Sequence, residues 1–240
     1  MARRTVDERT NQADPGKLMT KLPQMSTAAE AYRALRTNLQ FLSSQRDIKT
    51  LAITSANPSA GKSLTAANLA IAMAQMGRKT LLVDADLRRP TLHLLFNLEP
   101  QDDPAASGGL VHVLAGLTSD PSIEQPEPAL DQLYLLPCGP VPPNPGELVC
   151  GARMTGLLER LRADFEMVIL DTPPALAAAD TLALASLVDG ALLVISNRSD
   201  LPAVARAKRA LERVNAQVLG AVYNGARHQG ESYGDYHQYN

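Results

Sequence analysis

Cysteine is scarce in this chain: Cys138 and Cys150 are the two in 240 residues, and their spacing fits no metal-ligand pattern. Reduced thiols are expected, and with them a cytosolic setting. No apolar run approaches the roughly 20 residues needed to cross a bilayer, because Asp180 and Asp189 interrupt the most apolar region. No signal peptide is evident, so a soluble chain is expected. Neither charge dominates: 23 Lys and Arg stand against 25 Asp and Glu, for a net charge of −2, which leaves no footprint for nonspecific nucleic-acid binding. His93, His112, His228 and His237 are scattered, without triad or zinc spacing. There is no internal repeat, and the length suits one sizeable core.

What is present is a phosphate-binding loop. Residues 56–63 read Ala-Asn-Pro-Ser-Ala-Gly-Lys-Ser, between a strand-like run, Thr50 to Thr54, and a helix-like stretch, Leu64 to Met76. The N–H groups of a tight loop converge where a helix begins, and the helix dipole adds positive potential there. The candidate nucleotide ligands are Asn57, Pro58, Ser59, Ala60, Gly61, Lys62, Ser63 and Leu64. Lys62 can reach the β- and γ-phosphates of ATP, and Ser63 can ligate Mg²⁺. The usual pattern opens with glycine; Ala56 stands there instead, giving up easy access to positive φ while keeping a small side chain.

Two strand ends add carboxylates. Leu81 to Val83 runs into Asp84-Ala85-Asp86-Leu87-Arg88, and residues two apart on an extended chain point to the same side, so Asp84 and Asp86 share a face. Met167 to Leu170 runs into Asp171-Thr172-Pro173-Pro174, the form expected of a second Mg²⁺-holding carboxylate, and proline stops the strand. These runs, with Ala191 to Ile195, are apolar throughout, as parallel strands buried on both faces are. The expected fold is α/β: a three-layer P-loop NTPase with a mainly parallel, doubly wound sheet. Ligands then bind beyond the carboxyl ends of the strands, where the loop, Asp84, Asp86 and Asp171 converge.

Three regions are expected: a flexible leader over 1–25, a P-loop domain over 26–226, and a mobile tail over 227–240. Thr27 and Glu30 have capping-box spacing, and Tyr32, Leu35, Leu39 and Leu42 then repeat at helical intervals. Glu30, Arg33 and Arg36 lie off that apolar stripe. Glu99 to Gly109 and Thr118 to Ala129 read as surface insertions, and the prolines after the strand Leu133 to Leu136 stiffen a loop. The last strand is expected over Val218 to Tyr223. After it, residues 227–240 contain no aliphatic residue, and Tyr233, Tyr236 and Tyr239 all fall within the last eight positions. With nothing to pack against, these are accessible phenols.

Taken together, ANPSAGKS, LLVDADLRRP, VILDTPP, EAYRALRTNLQF (Glu30 to Phe41), GPVPPNPGEL (Gly139 to Leu148) and the tyrosine-bearing tail resemble the bacterial tyrosine kinase (BY-kinase) family, whose P-loop fold is unrelated to eukaryotic protein kinases. The resemblance spans most of the chain. It implies ATP and Mg²⁺ as cofactors, with Lys62 and Ser63 on the phosphates and metal, Asp171 and Asp86 on the metal, and Lys62, Asp84 and Asp86 as the catalytic set. It implies Tyr233, Tyr236 and Tyr239 as phosphoacceptors, and Glu30, Arg33 and Arg36 as contacts in a ring-like homo-oligomer of the unphosphorylated chain. Control of capsule or exopolysaccharide synthesis and export follows. So do two partners, the cytoplasmic tail of a membrane polysaccharide chain-length regulator and a protein-tyrosine phosphatase, with recruitment to the inner face of the plasma membrane. Two other readings compete: a partition-type positioning ATPase, and a nucleotide-binding scaffold without efficient transfer. Positioning ATPases have a KGGxGK loop, and here Asn57 replaces the extra lysine, with Pro58 and Ser59 where glycines would be.

Overall fold

A computed structural model of the chain describes residues 14–98 and 108–226. Six strands form one sheet in the order β3-β2-β4-β1-β5-β6, every neighbouring pair parallel. They are β1 (Thr50–Ser55), β2 (Thr80–Asp84), β3 (Leu133–Leu136), β4 (Met167–Asp171), β5 (Gly190–Ser196) and β6 (Val218–Asn224). The helices are α1 (Thr27–Gln45), α2 (Lys62–Ala74), α3 (Leu92–Leu95), α4 (Leu110–Ala115), α5 (Pro145–Cys150), α6 (Ala152–Asp164), α7 (Ala179–Leu187) and α8 (Leu201–Arg213).

β1, β2 and β4 are buried along their whole length, which is why they read as unbroken apolar runs. Successive side chains leave to opposite faces. Leu51, Ile53, Leu82 and Ile169 join α1 and α2 in one core cluster, while Leu81, Val83, Val168 and Leu170 join α4 and α6 in another. A third cluster, with Ala52, Ala191 and Leu193 on the sheet, receives Ala203, Ala207 and Leu211 of α8. Each fully buried aliphatic side chain contributes about 1.5–3 kcal/mol. Glu124, in the insertion Thr118 to Ala129, pairs antiparallel with Leu135 and covers the β3 edge.

Two expectations are corrected. Within residues 14–25 of the expected flexible leader one point is docked: Leu18 and Met19 are buried, and the buried Asn68 of α2 accepts a hydrogen bond from the Met19 amide (2.7 Å) and donates one to the Lys17 carbonyl (3.1 Å), while Met25 is exposed. An apolar pair inside a polar stretch is enough to dock it. The cap of α1 is Ser26, not Thr27; its hydroxyl accepts from the Ala29 amide at 3.3 Å, and Glu30 pairs instead with Arg33. The tail over 227–240 lies outside the described residues, as do Tyr233, Tyr236 and Tyr239.

Candidate active site

Sheet order assembles the site. β2, β4 and β1 are adjacent, so their carboxyl ends lie side by side, with Asp84 in register with Asp171 and Asp171 with Ile53. The β1–α2 loop closes over that edge. Its turn is made by Ser59 and Gly61, with φ of 65° and 88°, and α2 begins directly at Lys62, earlier than the sequence suggests. Ala56 is buried and is not among the residues with positive φ, so the missing glycine costs the loop nothing there. The DTPP turn is clasped to β1: Thr54 donates its hydroxyl proton to the Pro173 carbonyl (2.8 Å), and Thr172 donates to the Ile53 carbonyl (3.0 Å).

Lys62 is the hub. Its ammonium lies 2.8 Å from Asp86 Oδ2, 3.4 Å from Asp171 Oδ1 and 3.2 Å from Ser63 Oγ. Burial alone would lower its pKa; Asp171 and then Asp86 outweigh that and hold it above the ordinary lysine range. Asp84 lies deeper, with Oδ2 accepting from the Thr91 and Leu92 amides at 3.1 and 3.0 Å, which ties the DLRRP turn to β2. Burial, followed by repulsion from Asp171, raises the pKa of its carboxyl. Asp171 is raised as well, by burial first, against the pull of Lys62 and Ser63. Asp84 Oδ1 and Asp171 Oδ2 are buried without a hydrogen-bond partner among the described residues. Buried oxygens in that condition suit an additional donor or cation.

Outside this cluster opens a cleft of about 750 Å³, lined by Ser59, Gly61, Lys62, Ser63 and Asp86 among others. Asn57, Ala60, Asp84 and Asp171 are not in its lining, and neither are Glu30, Arg33 and Arg36, which lie on α1. Among those three, Glu30 pairs with Arg33, while Arg36 is half-buried and donates to the Ala72 carbonyl of α2 at 3.1 Å. Sequence reasoning missed three features. Asn224, at the end of β6, donates from Nδ2 to the Ala60 carbonyl of the loop at 3.1 Å. Asp180 holds Arg88 through two contacts, at 2.7 and 3.2 Å. Arg198, between β5 and α8, reaches the cleft. All join residues far apart in the chain, and no local pattern marks them.

The comparisons agree with this geometry. Residues 51–231 match the CobQ/CobB/MinD/ParA nucleotide binding domain, a span that contains the loop and all three strand-end carboxylates. It is 43% identical over 205 residues to the tyrosine-protein kinase YwqD of Bacillus subtilis, covering 84% of this chain and 83% of that one. The chain belongs to the bacterial tyrosine-kinase family. A second relative in the family, the putative tyrosine-protein kinase CapB of Staphylococcus aureus, is 36% identical over 83% of this chain and 85% of its own. The kinase domain of the Escherichia coli tyrosine kinase ETK superposes with a TM-score of 0.79 at 34% identity, covering 88% of this chain and 81% of that domain. Among the described residues of this family member, no helix is long and apolar enough to cross a membrane.

Proposed function

We propose that the chain is an ATP-dependent protein-tyrosine autokinase that moves the γ-phosphoryl group of ATP to Tyr233, Tyr236 and Tyr239. One observation carries this reading: Lys62, Ser63, Asp86 and Asp171 meet at the cleft edge, and β6, the strand that leads into the tail, ends against the phosphate loop through Asn224. In the reaction the phenolic oxygen forms a bond to the γ-phosphorus, the bond to the β,γ-bridging oxygen breaks, and ADP leaves with that electron pair. Lys62 and the loop amides stabilise the charge that develops on the phosphoryl oxygens. Asp84 and Asp86 position the acceptor hydroxyl and take its proton, Asp86 from the cleft lining and Asp84 from behind it, where Oδ1 has lone pairs to spare. Asp86 keeps Lys62 in place and faces the cleft.

Among the described residues no group of three or more His, Cys, Asp and Glu is arranged to hold a metal alone. A Mg²⁺ that shares ligands with nucleotide phosphates needs fewer, and the hard oxygens of Ser63 and Asp171, one of the latter unbonded, fit it. Asp86 would support the ion from the cleft side. When bound, it supplies Lewis-acid neutralisation of the β- and γ-oxygens.

The wider role we propose is control of capsule or exopolysaccharide synthesis and export. It involves a ring of unphosphorylated copies contacting through Glu30, Arg33 and Arg36. The cytoplasmic tail of a membrane chain-length regulator acts as activator and recruits the chain to the membrane's inner face, and a phosphatase reverses the modification. Asn57, in place of the extra lysine that opens the loop of positioning ATPases, favours transfer over a hydrolytic switch. The test is replacement of Tyr233, Tyr236 and Tyr239 by Phe: autophosphorylation should fall by most of its wild-type level while nucleotide binding is kept. Label persisting on Tyr32, Tyr134 or Tyr223 contradicts the acceptor assignment.

A further inference from the structure

The cleft is more cationic than a nucleotide alone requires. Besides Lys62 it is lined by Arg88, Arg89 and Arg198, which arrive from two separate turns, one after β2 and one after β5. Asp180 already neutralises Arg88 through its two contacts. Arg89 and Arg198 are exposed, and neither forms an ion pair among the described residues, although other surface arginines of this chain, such as Arg160 and Arg206, stand within 4.0 Å of a carboxylate. The Arg89 backbone is fixed by the amide it donates to Asp86 Oδ1 at 3.0 Å, so this arginine is anchored next to the residue that holds Lys62. Arg198 is held in the same way, its amide donating to Ser196 Oγ at 3.3 Å, and two uncompensated guanidinium groups on backbone so fixed, beside a phosphoryl-transfer centre, form a site for carboxylates.

The chain itself carries the matching charge. From Gln229 to its end it has Glu231 and Asp235 and no lysine or arginine. Glu231 stands two residues before Tyr233, and Asp235 directly before Tyr236; neither of the two residues before Tyr239 is acidic. The segment follows β6, whose last residue touches the phosphate loop. Resting on the kinase reading above, we propose that Arg89 and Arg198 form an acidic-peptide subsite at the mouth of the cleft, reading carboxylates that immediately precede the acceptor tyrosine. The acceptor class is thereby narrowed from tyrosine in a mobile segment to tyrosine preceded within two residues by Asp or Glu. Tyr233 and Tyr236 should be modified before Tyr239.

Two synthetic peptides test this, one with the sequence of residues 227–240 and one carrying Glu231→Gln and Asp235→Asn. With the full chain and saturating MgATP, the neutral peptide should show a KM higher by roughly three- to tenfold, the range for two exposed charge pairs. High salt should narrow the gap. In the Arg89→Gln, Arg198→Gln double variant the ratio should fall to about 1, and in the double Lys variant much of it should return. Fluorescence anisotropy of the same two peptides, labelled, reads the preference without turnover. Equal KM values for the wild type, or a preference unchanged in the Gln variant, overturn the proposal. So does a rise in the KM for ATP with the peptide ratio intact, which would make the arginines nucleotide contacts. If neither peptide is labelled but anisotropy keeps an acidic preference that the Gln variant loses, the kinase reading fails and the subsite stands. Without that preference the subsite fails too.

Discussion

Lys62 is held between Asp86 and Asp171, each of them buried, so the charge proposed to act in catalysis is also structural. Lys62→Met strands both carboxylates. Breaking a buried pair costs about 3–5 kcal/mol, and that loss of stability, read by thermal unfolding, should shrink at low pH, where the carboxylates protonate. Asp84 behaves oppositely. Its folded pKa is raised above 3.8, chiefly by burial and then by Asp171. Its contribution to stability is therefore full below the unfolded pKa and is lost as pH rises through the folded value. Asp84→Asn should consequently unfold at a temperature roughly 2–4 °C higher at pH 8, a shift of about 1 kcal/mol for a chain of this length. Transfer should fall by about 10²–10⁴-fold while ATP affinity stays within about threefold of wild type. Equal losses of transfer and binding would make Asp84 a purely structural residue.

The loop and α2 depend on one glycine for two reasons. Gly61 has φ of 88°, and a Cβ there would come 1.8 Å from Asn224 Nδ2 at the end of β6. Gly61→Ala should therefore both strain the loop and push β6 away, weakening nucleotide binding by more than tenfold in a calorimetric titration. Removing the obstruction with Asn224→Ala should restore part of that affinity but not the part owed to backbone conformation; a fully additive pair would contradict the contact. At this scale the sequence was informative where the physics is local. The apolar runs marked all six strands to within one residue at each end, the GKS pattern located the loop, and the carboxylates fell at the strand ends. Contacts set only by the sheet order were not legible: Asn224 is 164 residues from Ala60, and Asp180 is 92 from Arg88. Asn68, a polar residue within the apolar α2, fastens the segment around Leu18 and Met19, and no local pattern marks that role. Ser26 and Thr27 offer the same kind of cap, and only the reach of the hydroxyl to the Ala29 amide distinguishes them.

At the scale of the whole molecule, α1 carries the contacts proposed between copies and also packs on α2. Arg36 is committed to the α2 carbonyl at Ala72, so its loss would disturb the domain as well as any contact between copies. Glu30 and Arg33 pair with each other on one helix, and such pairs contribute about 0.2–0.5 kcal/mol to a helix. Glu30→Ala with Arg33→Ala should leave the melting temperature nearly unchanged while shifting the unphosphorylated protein towards monomer in light scattering. An unchanged mass would remove these residues from the interface. The central claim is that this edge delivers phosphate to the chain's own tail. The direct measurement is to incubate the purified wild type and Lys62→Met with MgATP, with and without a candidate activator tail, and map phosphotyrosine by mass spectrometry. The account predicts phosphate on Tyr233, Tyr236 and Tyr239 in the wild type, reduced at least about 10²-fold in Lys62→Met; phosphotyrosine undiminished in the variant, or confined to Tyr32, Tyr134 or Tyr223, would contradict it.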